Sequence, residues 1–119
     1  MEILIIDKKI SNKNLKRLID LYFKDMVKYV VDIAQNRIAI GGELHADGEQ
    51  LLLDSGSYLK DIWGANYYPD RGEKDCIEFT ALINIRPSQG NPSMEIMDKE
   101  ICERVKVITF NLIGRGEYL

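Results

Sequence analysis

The densest run of chemistry-bearing side chains is Gly41-Gly42-Glu43-Leu44-His45-Ala46-Asp47-Gly48-Glu49, which carries the chain's single histidine among three carboxylates. Histidine titrates near neutrality, so beside a carboxylate it can take and return a proton as a general acid or base. Local conformation decides which carboxylate is its partner. In an extended segment Glu43, His45 and Asp47 project from one side and could relay a proton or hold a metal. In a helix, which Leu44, Gly48, Leu51 and Leu52 imply, Glu43 lies one turn from Asp47 and His45 one turn from Glu49. One histidine without a second His or a Cys is a poor zinc set, so no metal is assigned. His45 and Glu43 are the candidate acid/base residues. The plainer alternative is a helix-start histidine bonded to Glu49 or to backbone, with the carboxylates complementing the helix dipole.

A second cluster, Asn84, Arg86, Ser88, Gln89 and Asn91, has no acid or base but has the donors that recognise a carboxylate or phosphate. It lies at the end of a strand-like run and in the loop after it, a usual place for binding groups. The competing role for these Asn and Ser side chains is to tie down their own loop and cap the next helix. A third group, Trp63, Tyr67 and Tyr68, fits core or interface packing better than stacking on nucleic-acid bases, because Lys60, Asp61 and Asp70 flank it rather than interleaved cations. No nucleophile motif, P-loop, dinucleotide glycine pattern or EF-hand occurs, so no cofactor is assigned.

The elements that must position these groups can be read from periodicity. Residues 2–6 form a short apolar run suited to a buried strand. Ser11 or Asn12 can cap a helix whose stripe is Leu15, Leu18, Ile19, Tyr22 and Phe23. Val27 to Ile33 and Arg37 to Ile40 alternate around Gln35-Asn36, which predicts a β-hairpin. Leu44 to Leu52 follow helical spacing, with Gly56 at the stop. Ile62 to Tyr67 read as a strand, and Pro69 to Asp75 as a polar turn. Ile77, Phe79, Ala81, Ile83 and Ile85 then alternate with polar residues, predicting a long strand that ends at Pro87. Asp98 can cap a last helix with the stripe Met97, Ile101, Val105, Ile108 and Leu112, closed by Gly114. The predicted order is βαββαββα: an α+β domain with a mostly antiparallel sheet of about five strands, two longer helices on one side, and one short helix.

At 119 residues, with 45% hydrophobic and 29% charged residues, the chain reads as a single domain over 1–119. A net charge of -3 argues against nucleic-acid binding through bulk charge. The first apolar run is four residues long and is followed by Asp7-Lys8-Lys9, which does not make a signal peptide, and no apolar run reaches the ~20 residues of a membrane helix. A cytoplasmic location is therefore expected, with Cys76 and Cys102 as packed thiols.

Three blocks are familiar as wording: Gly41 to Asp47, Asp61 to Pro69, and Ile83 to Asn91. In this order they resemble a family of short prokaryotic proteins of unknown function. The resemblance implies no activity, cofactor or catalytic residue. Gly48, where a better helix former would be expected, keeps the extended alternative for residues 43–49 open. The expectation is a small polar or anionic ligand bound where the 43–49 segment meets the 84–91 loop, with catalysis left open. The rival is a non-catalytic interaction module, a homodimer working through a sheet edge or the Trp63-Tyr67 face.

Overall fold

A computed structural model describes residues 2–119. Strands β1 (Ile3–Ile6), β2 (Val27–Asp32), β3 (Arg37–Gly41), β4 (Ile62–Tyr67) and β5 (Ile77–Glu78) form one sheet in the order β1-β3-β2-β4-β5, with every neighbouring pair antiparallel. The helices are α1 (Asn12–Tyr22), α2 (His45–Asp54), the single turn α3 (Gly72–Asp75) and α4 (Lys99–Leu112). The α+β class and the βαββαββα order expected from periodicity are both found, α3 lying within the predicted polar turn. No helix of the described residues is long and apolar enough to cross a membrane.

The pleat sorts side chains to two faces. Tyr29 and Val31 of β2, Ile38 and Ile40 of β3, and Trp63, Ala65 and Tyr67 of β4 face the main core, which α1 closes with Leu15, Leu18 and Ile19, and α4 with Val105, Ile108 and Leu112. Val30, Ala39 and Ile62 face the other way, onto Leu52 of α2 and Ile83. Thus the two longer helices share one face as expected, and the short helix occupies the other. Local chemistry sets the ends: Ser11 accepts the Asn14 N–H, Asp98 accepts those of Glu100 and Ile101, and Gly56 follows α2 at φ +100°.

Gly48 belongs to α2 because the helix crosses the sheet there: a Cβ at this position would lie 3.1 Å from Val30 Cγ2. Close approach, not helix propensity, accounts for the residue. Both cysteines are free, Cys76 buried and Cys102 half-buried.

Three sequence expectations need correction. The hairpin link is four residues, 33–36, since Asp32 pairs with Arg37 and the Asp32 carboxylate accepts the N–H groups of Ala34 and Gln35. The predicted long strand after Cys76 pairs with β4 only at Ile77 and Glu78, its later residues making isolated bridges at Thr80–Glu95 and Arg86–Asn91. Beyond that point the chain folds over β4 instead: Ala81 and Ile83 press so closely on Gly64 that a Cβ there would sit 2.6 Å from Ala81 Cβ. Finally, Met97 precedes the cap and is 57% exposed, so the buried stripe of α4 starts later.

Candidate functional site

The two predicted segments do meet. Arg86 donates to a Glu49 carboxylate oxygen at 3.3 Å, to the Ile83 carbonyl at 3.0 Å and to the Leu59 carbonyl at 2.7 Å, and its guanidinium lies 4.8 Å from the centre of the Trp63 ring. With the side chain buried and these donors engaged, the junction is a filled joint rather than an open cleft. Burial pushes the Glu49 carboxyl upward even though Arg86 opposes the shift, so desolvation outweighs the ion pair here.

Asn84 and Asn91 are likewise turned inward. The Asn84 amide nitrogen donates to the Gly64 carbonyl at 2.9 Å while its oxygen accepts the Gly64 N–H at 2.8 Å, so one side chain pairs with β4 as a neighbouring strand would. The Asn91 amide donates to the carbonyls of Asn84, Ser93 and Glu95 and accepts the Met97 N–H, organising the whole loop. Gln89 donates to the Lys60 carbonyl, and Ser88 is exposed.

His45 and Glu43 part company. The segment is helical from His45, as the Leu44–Leu52 spacing implied, and Glu43 opens on a different cleft, lined by Glu2, Tyr22 and Asp47. His45 opens α2, and its Nε2 donates to the Ala65 carbonyl at 2.9 Å. A carbonyl only accepts, so Nε2 carries the hydrogen and neutral His45 presents Nδ1 as an acceptor. Burial lowers the His45 pKa and Lys28 adds to the effect. The Ala65 carbonyl, Asn66 and Glu78 oppose it, and burial prevails.

Beneath His45 lies a feature that sequence reasoning did not isolate. Lys28 is paired with Asn66, and Asn66 with Glu78, so strand register draws these three polar residues into one row across β2, β4 and β5. The row stands on the face that carries Val30, Ala39 and Ile62, with the Asp32–Arg37 ion pair at its far end. The Asn66 amide nitrogen donates to Glu78 at 2.7 Å, leaving Asn66 Oδ1 buried without a partner. Unpaired buried polar atoms are rare in native proteins; Trp63 Nε1 and Arg37 Nε are the others among the described residues.

Above the row is a cleft of about 460 Å³, within the range of small-molecule sites. His45, Asn66 and Thr80 supply its polar floor, Leu82, Ile83 and Met94 an apolar wall. Lys28 and Asn66 could have been suspected as polar residues in otherwise apolar strands. Their alignment with Glu78 depends on register, which no local pattern carries. Among the described residues no group of three His, Cys, Asp or Glu side chains gathers to hold a metal ion.

Trp63 and Tyr67 are 2% and 1% exposed, so the aromatic face belongs to the core and offers no working surface to a second copy. The three familiar blocks are in contact: His45 bonds Ala65, Asn84 pairs with Gly64, and Arg86 stacks on Trp63. No curated protein and no solved structure matches the chain. Residues 4–112 match the model of a family described as a protein of unknown function, DUF5674, and the chain belongs to that family.

Proposed function

We propose that the protein binds a small amphipathic molecule in the cleft between the start of α2 and the 80–94 segment. The single observation that carries this reading is the row Lys28, Asn66 and Glu78, which opens into a cleft at which His45 stands. Pre-formed clefts with a few convergent polar groups on apolar walls are the usual form of a ligand site. The ligand's polar head would meet His45, Asn66 and Thr80, and its apolar body would lie on Leu82, Ile83 and Met94. His45, neutral at pH 7, is the group able to accept a proton or hydrogen bond there. Arg86, Asn84 and Asn91 support the site from behind, since their donors are engaged within the protein.

Amide resonances followed during titration with a mixture of small amphipathic fragments test this. Shifts should centre on residues 45, 66, 80 and 94. Leu82 is 71% exposed, so Leu82→Glu should abolish the shifts without unfolding the protein. Fragment shifts that survive Leu82→Glu unchanged, or that centre on Glu49 and Arg86, would refute the cleft as the site.

A further inference from the structure

The residues at the ends of the polar row carry opposite charges, and both line the cleft. Lys28 and Glu78 are separated by two strand spacings, about 10 Å between backbones. Among the described residues neither is in an ion pair. The Lys28 ammonium lies 5.0 Å from the centre of the Phe23 ring, and Glu78 receives the neutral donors Asn66 and Tyr68. Both charges are felt at the His45 ring, Lys28 disfavouring and Glu78 favouring its cation, so both border the same space. A ligand with one charge would satisfy one end and be repelled by the other. A ligand with both charges and an apolar body matches the row and the wall together.

We propose that the cleft takes a short apolar zwitterion of dipeptide size, its carboxylate toward Lys28, its ammonium toward Glu78, and its side chains on Leu82, Ile83 and Met94. The size follows from the span: two extended residues reach about 7 Å, and the Lys28 and Glu78 side chains cover the remainder. The inference rests on the cleft being the binding site.

The test compares leucyl-leucine, its N-acetylated form and its C-terminal amide by calorimetry and by amide shifts on the full chain. Leucyl-leucine should bind about two- to fivefold more tightly than either capped form, the advantage expected of one partly exposed charge pair. Lys28→Gln should erase the preference over the C-terminal amide alone, and Glu78→Gln the preference over the N-acetylated form alone. A merely structural role for either residue would weaken all three probes equally. Equal binding of the three forms would overturn the zwitterion and leave the cleft standing. The same holds if none of them binds while neutral fragments still shift residues 45, 66, 80 and 94. If neither dipeptides nor fragments shift those residues, both readings fail.

Discussion

Asn84 offers the sharpest test of how this fold is held. Its side chain is fully buried and is the partner of both backbone polar groups of Gly64, on the edge of β4 that β5 does not reach. Asn84→Ala orphans both groups. The Met94 carbonyl, which Asn84 also holds, keeps the Ala81 N–H and is left out of the sum. Each buried unpaired backbone group costs about 1–3 kcal/mol, so the loss should be about 2–6 kcal/mol. That is a large part of the roughly 6–18 kcal/mol expected for a domain of this length. Urea unfolding read by fluorescence of Trp63, the chain's single tryptophan, measures it directly. Asn84→Asp refines the argument. Its carboxylate can accept from the Gly64 N–H but cannot donate to the Gly64 carbonyl, whereas the protonated acid does both. This variant should therefore recover part of its deficit relative to wild type as pH falls. A loss below about 1 kcal/mol for Asn84→Ala would refute the view that this amide completes the sheet.

Other expectations follow from the same packing. Arg86→Met should lower the melting temperature by about 10 °C or more, because it leaves two carbonyls and the Glu49 carboxylate without their donor; calorimetric melting of Glu49→Gln should show a much smaller change, as that carboxylate gains little net from its ion pair. Because burial lowers the His45 pKa, the unfolded chain binds the proton more readily. His45's contribution is therefore full above its unfolded value of about 6.5 and declines as pH falls below it. Urea midpoints at pH 7.5 and 5.5 should show a steeper acid loss in wild type than in His45→Gln. Gly48→Val should destabilise by about 1–3 kcal/mol in the same assay, since its Cβ already meets Val30 before the branch is added.

What could be read from the sequence was what local rules determine. The stripe of α1 with its Ser11 cap, the hairpin, and α4 with its Asp98 cap each depend on residues within a few positions of one another. The predicted strand after Cys76 misled because its alternation is real but serves a different partner: Ala81 and Ile83 pack on Gly64, while an asparagine side chain supplies the hydrogen bonds that a strand would have made. Arg86 and Asn91 looked like binding groups because nothing local distinguishes an arginine that awaits a ligand from one that ties distant carbonyls together. The segments 43–49 and 84–91 touch through Glu49 and Arg86, and the proposed cleft lies to one side of that contact. Its floor is set by the pairing of β2, β4 and β5, which the sequence encodes only through the whole fold.

The sheet order has a consequence for how the chain assembles. β1 and β2 run in the same direction with α1 between them, but β3 lies between the two in the sheet, so β1 has nowhere to pair until β3 has turned back onto β2. The hairpin closes a loop of four residues, whereas β1 must be joined to β3 across the whole of α1 and β2. Loop closure favours the short connection first, so the β2–β3 hairpin forms before β1 is joined to it. In the native state the same strand, hydrogen-bonded along one side only, should exchange its amide hydrogens ahead of the three central strands, opening while they stay closed.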